Sequence, residues 1–295
     1  MMVHMTTQAA IDDMPRGGPD ASWLDRKLQT DRLEYLDRDD ADNKKRAVVR
    51  SLDRMGRLFG QHEIFARAAF EEVRDVPDPK ILELGSGHGG LSRKLLEMLP
   101  TAHITVTDVE PASVAAIAAG DLGDHPRVTV REMDATAIDA PDGSYDLAVF
   151  AQSFHHLPPA LASRVFAEGT RVADKLVIID LPRPPSLLHI LQLSQMLPLA
   201  LFPLLHDGVI SSLRAYSPSA LRALARHADP TIHVELRGGG LLNSPIHPRP
   251  QIVVATRGDR ERGAAGRGGT PAKLGDGSPP SGRGDRGSPR WRRGR

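Results

Sequence analysis

The sequence predicts an α/β protein with one mostly parallel seven-stranded sheet, an antiparallel hairpin at its C-terminal end and helices on both faces. From Lys80 onward, short apolar stretches alternate with amphipathic stretches, which is typical of βαβ units. The last two apolar stretches are joined by residues 237–251, a loop rich in Gly and Pro that contains no obvious helix. A loop of that kind permits an antiparallel pair.

Seven strands and four helices follow from this alternation. The predicted strands are Ile81–Leu84, Ile104–Thr107, Val128–Arg131, Leu147–Phe150, Leu176–Ile179, His233–Leu236 and Ile252–Ala255. The predicted helices are Leu91–Leu99, Pro111–Ala119, Ala160–Val172 and Pro218–His227. Upstream, apolar residues recur with a period near 3.6 between Leu52 and Ala68, which predicts further helix.

Composition divides the chain into a body and two tails. Residues 22–256 are expected to form one domain, with residues 22–78 as an N-terminal helical cap, and residues 1–21 are expected to be disordered. Residues 257–295 are rich in Gly, Arg, Pro and Ser, a composition that cannot offset the entropy of ordering the chain. This tail holds 11 Arg or Lys and 4 Asp or Glu, so it carries about +7 of a net charge of +1 and leaves the body mildly acidic.

Cysteine is absent from all 295 residues, which excludes disulfides, thiolate zinc sites and cysteine nucleophiles. The first 21 residues contain no apolar run of the kind a signal peptide needs. Both observations lead us to expect a cytoplasmic protein. The acidic body gives no reason to expect an enzyme that acts on nucleic acid.

An unusually apolar insertion, residues 183–210, separates the fifth and sixth predicted strands. Its core, residues 187–205, approaches the length of a membrane span, but Pro198 and Pro203 would break a single spanning helix. We therefore expect two short helices that form a lid. Apolar residues surround most of the first helix, so a substrate, a partner subunit in a homodimer or a membrane surface is needed to cover it.

A glycine-rich turn follows the first predicted strand, with Gly85, Gly87 and Gly89 in the segment ILELGSGHGG. Such a turn lets a ligand approach the backbone beside the free amides of the next helix. Glycines 85, 87 and 90 also match the pattern of dinucleotide-binding proteins, so the glycines alone do not show whether the cofactor is a dinucleotide.

Three acids at strand ends indicate the kind of cofactor better than the glycines do. Glu83 lies on the strand before the turn, where a buried carboxylate needs a partner such as the ammonium of an amino-acid-like cofactor. Asp108 ends the second strand, where an acid accepts hydrogen bonds from ribose hydroxyls. Asp134 follows the third strand, where it would accept a hydrogen bond from the exocyclic amine of adenine.

Together these segments resemble the class I S-adenosylmethionine (SAM)-dependent methyltransferases. Residues 83–89 resemble the family's E/D-x-G-x-G-x-G motif, and residues 145–157 resemble its fourth strand and following loop. The resemblance implies a Rossmann-like methyltransferase sheet and SAM as cofactor. It implies a cofactor site made of Glu83, Gly85, Ser86, Gly87, Gly89, Asp108, Val109, Asp134, Ala135 and Gln152.

Each acid also has a structural interpretation. Glu83 would be a structural partner of the helix N-terminus, and Asp108 would cap the helix near Pro111, which would leave Glu110 as the ribose ligand. Asp134 would be an ordinary turn residue. Asp146, at the start of the fourth strand, is expected to be structural in either case.

The acceptor is expected beyond the carboxyl ends of the fourth and fifth strands, because ligands of open α/β sheets bind there. His155 and His156 are the candidate catalytic bases, with packing or cofactor contact as the alternative. Asp180 would orient a substrate hydroxyl or simply end its strand. Arg214 would bind an anionic substrate group or form a structural salt bridge. No metal site is expected, because no further ligands occur at suitable spacing.

The loop after the fourth strand, with the sequence AQSFHH, lacks the Asn/Asp-Pro-Pro-aromatic run of DNA amino-methyltransferases, so no sequence-specific nucleic-acid partner is expected. The apolar lid favours a hydrophobic small molecule: a quinone precursor, polyketide, phenolic compound or lipid. The sequence thus predicts methyl transfer to oxygen or carbon of such a molecule. A non-catalytic SAM-binding protein and an NAD-dependent oxidoreductase are the alternatives.

Overall fold

The computed structural model describes residues 11–34, 56, 60–196, 203–239 and 249–258. All seven predicted strands are present, each within three residues of its predicted bounds. They are β1 (Lys80–Leu84), β2 (His103–Asp108), β3 (Val128–Glu132), β4 (Tyr145–Ala151), β5 (Ala173–Asp180), β6 (Ile232–Gly238) and β7 (Gln251–Arg257).

Eight α-helices lie within the described residues: α1 (Trp23–Lys27), α2 (Gln61–Val73), α3 (Gly90–Met98), α4 (Pro111–Ala118), α5 (Pro159–Val172), α6 (Ser186–Met196), α7 (Pro203–Arg214) and α8 (Pro218–Ala228). A 3-10 turn, Phe154–His156, follows β4. Proline occupies the first turn of α4, α5 and α8, where its missing N–H costs no hydrogen bond.

The sheet has the strand order β3-β2-β1-β4-β5-β7-β6. The first five strands pair in parallel, and β7 runs antiparallel to both β5 and β6. The predicted fold class, a Rossmann-like mostly parallel sheet with a C-terminal antiparallel hairpin, is confirmed. Because the order reverses between β1 and β4, the loops after these two strands leave the same sheet edge in opposite directions, which opens a crevice there.

Alternate residues of each central strand enter one of two cores, because successive side chains point to opposite faces. Leu82, Phe150 and Ile178 face one core, which α5 and α8 cover. Ile81 and Val149 face the other core, which α2 and α3 cover. With both faces buried, the central strands read as continuous apolar runs.

The N-terminal expectations need correction. Residues 11–21 were expected to be disordered, yet Ile11 and Met14 are buried in the core beneath α5 and α8. Residues 28–34 were expected to be helical, yet they are irregular. The reason is tertiary: polar groups of this segment bind distant parts of the chain, which periodicity within the segment cannot reveal. The expectations for residues 1–10, 35–55 and 57–59 lie outside the described residues.

Arg183 fixes this N-terminal segment to the body. Its fully buried guanidinium forms an ion pair with Asp25 at 2.7 Å and donates to the carbonyl of Leu28 at 2.7 Å. It also donates to the carbonyls of Leu213 and Ala215 at the end of α7, both at 3.2 Å. One side chain therefore joins the N-terminal segment, the start of the insertion and the end of α7.

The insertion forms two helices, α6 and α7, as predicted, and the break expected at Pro198 falls in residues 197–202, outside the described residues. Among the helices that the structure describes, none is long and apolar enough to cross a membrane. The tail was expected to span residues 257–295, and residues 259–295 lie outside the described residues.

Asp25→Asn tests the role of Arg183. The substitution leaves a buried guanidinium without its counter-charge, which costs on the order of 2–4 kcal/mol of unfolding free energy. For a domain of this size the melting temperature should fall by roughly 5–15 °C. Asp124→Asn, at an exposed position, is the control and should melt like the wild type. Equal melting of both variants would contradict a structural role for the N-terminal segment.

Candidate functional site

The turn after β1 is shaped to admit a ligand. Gly85, Gly87 and Gly89 all have positive φ, at 61°, 56° and 70°. A Cβ on Gly85 would lie 2.7 Å from the Phe150 ring, so the backbone approaches β4 closely. A Cβ on Gly87 would meet nothing within 4 Å, so this glycine faces open space. The turn therefore combines a conformation that favours glycine with room beside the backbone.

Asp108 supports the turn from β2. Its Oδ2 accepts a hydrogen bond from the Gly87 amide at 2.8 Å, and its Oδ1 accepts one from the Glu110 amide at 2.9 Å. Its carboxylate therefore lies directly beside the glycine turn, as expected of a ribose ligand. Glu110, the alternative, is exposed at the start of α4, and Val109 is 65% exposed at the rim.

Glu83 lies deeper, 3% exposed, and accepts a hydrogen bond from the Ser92 hydroxyl at the start of α3. Burial raises the pKa of this carboxyl to about 7, although Ser92 acts in the opposite direction. Nearby, the buried Ser86 hydroxyl has no hydrogen-bond partner among the described residues. A buried acid and an unsatisfied hydroxyl fit the polar amino-acid portion of a cofactor such as SAM.

The remaining predicted cofactor residues lie at the same sheet edge. Asp134 follows β3, and its Oδ1 accepts from the amide and hydroxyl of Thr136, both at 2.8 Å. This geometry agrees with a turn residue, and adenine contact stays a prediction. Ala135 is half-buried beside it. Gln152, after β4, has a φ of 58°, a strained conformation for a residue with a side chain, and strain of this kind often marks a functional site.

Asp180, at the end of β5, is a positioning residue in this structure. It is buried, and its Oδ2 accepts from the backbone amide of His155 at 2.7 Å. Its Oδ1 lies 2.7 Å from His155 Nδ1 and 2.7 Å from the Leu181 amide. Burial raises the pKa of Asp180, but His155 and these amides more than offset it, so the net shift is downward. These bonds favour a role in holding His155 over a direct contact with substrate.

His155 and His156 differ sharply in environment. The His155 ring is buried between Asp180 and Glu34, with Nε2 3.5 Å from Glu34 Oε1. Burial lowers its pKa, but the two carboxylates outweigh this and raise it to about 9. His155 is therefore protonated at neutral pH, which does not suit a general base. His156 retains 22% side-chain exposure and lies 3.9 Å from Glu34, so the predicted base role fits it better.

Arg214 is buried and donates to the carbonyl of His156. Arg16 donates to the carbonyls of His155 and Arg214, both at 2.9 Å. These contacts agree with the structural interpretation of Arg214 and not with an exposed anion-binding group. Asp146 is also structural, because its carboxylate accepts from the Lys80 amide at 2.8 Å and joins the starts of β4 and β1.

Glu34 and Arg16 are the site residues that sequence reasoning missed. Glu34 is 2% exposed and lies against both histidines, and Arg16 is 4% exposed beneath them. Both come from segments that were interpreted as cap and disordered tail. No local signal identifies them, because their partners are more than 120 positions away in the chain.

Comparisons with known proteins agree with this site. Residues 81–175 match the family model described as a methyltransferase domain. The chain is 28% identical over 221 residues to the demethylmenaquinone methyltransferase of Thermus thermophilus, across 67% of this chain and 96% of the relative. It is 34% identical over 97 residues to the malonyl-[acyl-carrier protein] O-methyltransferase of Geobacter sulfurreducens, about a third of each chain.

Among solved structures, that of the plantazolicin methyltransferase BpumL in complex with SAH has a TM-score of 0.56 and 11% identity, covering 87% of this chain and all of that chain. This likeness concerns the fold. The sheet order and the glycine turn agree with the match to a methyltransferase domain over residues 81–175. With the family match and the two relatives, the chain is an enzyme, a methyltransferase that uses SAM as its methyl donor.

Glu83→Gln should change the pH dependence of stability. With its folded pKa raised to about 7 from an ordinary 4.5, Glu83 favours the fold in its protonated form. That contribution is full below pH 4.5 and is lost as the pH rises through 7, a change of roughly 3 kcal/mol at most. In SAM-free protein the variant should resemble the wild type near pH 5 and melt at a higher temperature at pH 8.

Urea or thermal denaturation at pH 5, 6, 7 and 8 measures this difference. Glu132→Gln, at an exposed position on β3, is the matched control and should show no pH-dependent difference from the wild type. A constant offset between Glu83→Gln and the wild type at every pH would show that the pKa of Glu83 is not raised.

Proposed function

We propose that this enzyme transfers the methyl group of SAM to a carbon or oxygen of a hydrophobic small molecule of the quinol or phenol class. The observation that carries the proposal is the alignment with the demethylmenaquinone methyltransferase, which extends over 96% of that relative. It therefore includes both the donor and the acceptor portions of the relative. The alignment with the malonyl-carrier-protein enzyme covers only 97 residues and says less about the acceptor.

The residues at the sheet edge suggest how SAM is held. Glu83 and Ser86 would bind its amino-acid portion, with the backbone of Gly85, Gly87 and Gly89 alongside. Asp108 would accept from the ribose hydroxyls, and Asp134, Ala135 and Val109 would border the adenine. SAM supplies the electrophilic methyl group. The protein then needs to align the acceptor with that methyl and to exclude water, since alignment provides much of the rate in such displacements.

An apolar acceptor is supported by α6. Leu187, Ile190 and Leu191 are 78%, 41% and 54% exposed, and the last two lie three and four positions after Leu187, hence on the same face of the helix as Leu187. This exposed face follows β5, whose carboxyl end lies beside the crevice. An acceptor with an apolar tail would cover it, and a membrane surface that delivers such an acceptor would serve equally. Methyl transfer to an aromatic carbon or oxygen also requires loss of a proton, for which His156 is the accessible candidate.

Asp108→Ala tests the donor site. Loss of charge-assisted hydrogen bonds to ribose should weaken SAM binding by about 2–3 kcal/mol, roughly 30- to 150-fold. Glu110→Ala is the control that separates the two candidate acids, and it should leave SAM affinity within about threefold. Calorimetric titration with SAM, S-adenosylhomocysteine and NAD provides the measurement. If Glu110→Ala weakens SAM and Asp108→Ala does not, the ribose assignment moves to Glu110.

Acceptor class is tested by assaying methyl transfer to a panel: a prenylated naphthoquinol, a simple phenol, a fatty acid and a malonyl thioester. The quinol should give the highest kcat/KM. The double variant Leu187→Asp with Leu191→Asp should raise its KM about tenfold, since each lost leucine contact contributes roughly 1 kcal/mol or less when partly covered. SAM affinity should not change.

Ile64→Asp is the matched control, because Ile64 is also a partly exposed aliphatic residue, at 46%, but lies on α2 and not on α6. Turnover of the malonyl thioester alone would overturn the quinol assignment. An unchanged KM for the quinol in the double variant would show that α6 does not contact the acceptor.

A further inference from the structure

The loop after β4 holds a cluster of ligand groups, of which the proposed methyl transfer uses only His156. Glu34, His155 and His156 each offer one oxygen or nitrogen atom, and these atoms lie within 4.8 Å of one another. Glu34 and His155 are buried, and His156 is partly exposed. The three groups come from two segments that are distant in sequence and that meet only in the folded protein.

The contacts of both histidines with Glu34 are ion pairs that are longer than the best hydrogen bonds and close to the spacing of metal ligands. His155 Nε2 lies 3.5 Å from Glu34 Oε1, and His156 Nε2 lies 3.9 Å from Glu34 Oε2. Both exceed the 2.7–3.2 Å of a good N–H···O bond. Two ligands of a tetrahedral ion with bonds of 2.0–2.2 Å lie about 3.4 Å apart. A modest contraction would bring all three atoms to that spacing.

The His155 ring is oriented as a metal ligand usually is. Its Nδ1 lies 2.7 Å from Asp180 Oδ1, which directs Nε2 towards Glu34. A carboxylate behind the ligating imidazole is the common arrangement in zinc sites, because it sets the tautomer and the ring direction. Asp180 is itself held by the amides of His155 and Leu181, both at 2.7 Å.

Glu34 is held from the other side. The hydroxyl of Ser211, on α7, donates to its Oε1 at 2.7 Å. Arg16 and Arg214 bring positive charge nearby, but their guanidinium groups are directed to the carbonyls of His155 and His156. The carboxylates of Glu34 and Asp180 offset those two charges. The partial exposure of His156 provides the entry path that a metal site needs.

We propose that Glu34, His155 and His156 bind one divalent transition-metal ion of the Zn²⁺ and Co²⁺ class, and that His155 releases the proton on its Nε2 to the solvent when the ion binds. Two imidazoles and one carboxylate form a ligand set suited to these ions, and three protein ligands leave a coordination position open. The ion would join the N-terminal segment to the loop after β4, beside the predicted acceptor crevice. A metal-bound His156 would not act as the base, so that role would belong to the metal-free protein. The identity of the acceptor does not depend on metal binding, and either proposal can fail without the other.

Co²⁺ is the probe, because its visible spectrum reports coordination geometry. Tag-free full-length protein is treated with chelator, dialysed and titrated with CoCl₂. One equivalent should bind and give the intense bands of a four- or five-coordinate ion, and Zn²⁺ should displace it. The bound ion should also raise the melting temperature, because it binds only the folded arrangement.

Asp180→Asn removes the carboxylate behind the ligating His155 and should reduce affinity for Co²⁺ roughly 10- to 100-fold. His156→Ala removes a ligand and should reduce it more. Glu34→Gln should reduce Co²⁺ affinity as much as His156→Ala does. Circular dichroism checks that each variant folds. Of the three ligands, His156 is partly exposed, so its replacement should disturb folding least. His103→Ala, at an exposed position on β2, is the control and should bind Co²⁺ like the wild type.

Three results would overturn the proposal: no bound equivalent, a spectrum that stays that of the hydrated ion, or equal loss of binding in His103→Ala and His156→Ala. The first two would mean that protonated His155, together with Arg16 and Arg214, balances the charge of Glu34 and Asp180 without an ion. The third would mean adventitious binding to surface histidines. None of these results bears on SAM binding, which calorimetry measures separately.

Discussion

The parallel pairing of β1 with β2 on one side and with β4 on the other is the constraint on which the rest of the structure depends. It places residues 81–83 beside both neighbours and brings the carboxyl ends of three strands to one edge. The glycine turn, Asp108 and Gln152 meet there because each directly ends or follows one of these strands. The antiparallel β7 then closes the other side of β5, so that Asp180 ends its strand deep within the protein.

From this edge, burial determines the chemistry of each acid. Glu83 is buried and accepts a hydrogen bond from the Ser92 hydroxyl, and burial raises the pKa of its carboxyl. Asp108 accepts hydrogen bonds from two backbone amides and supports the glycine turn. Asp180 has an imidazole and two amides and therefore stays ionised. Three carboxyl groups near the ends of β1, β2 and β5 thus differ in environment, because their hydrogen-bond donors differ.

The N-terminal segment is the least expected part of this arrangement. It supplies Arg16 and Glu34 to the loop after β4, and Asp25 to the buried Arg183 that joins the insertion to the body. The surroundings of His155 and His156 are therefore assembled from the N-terminal segment, the loop after β4 and α7. A change in the N-terminal segment should alter this region, whereas the predicted SAM residues all lie between positions 83 and 152.

The sequence by itself determined the sheet, the glycine turn and the three acids near it, because these features are local: strand periodicity, turn glycines and acids at fixed distances from strand ends. It predicted the two lid helices from Pro198 and Pro203 for the same reason. Only the tertiary structure decided that His155 is enclosed by carboxylates while His156 is accessible, and that Arg214 is a structural contact. It alone brought Glu34 to the site, because burial and pairing between residues more than 120 positions apart leave no trace in local pattern.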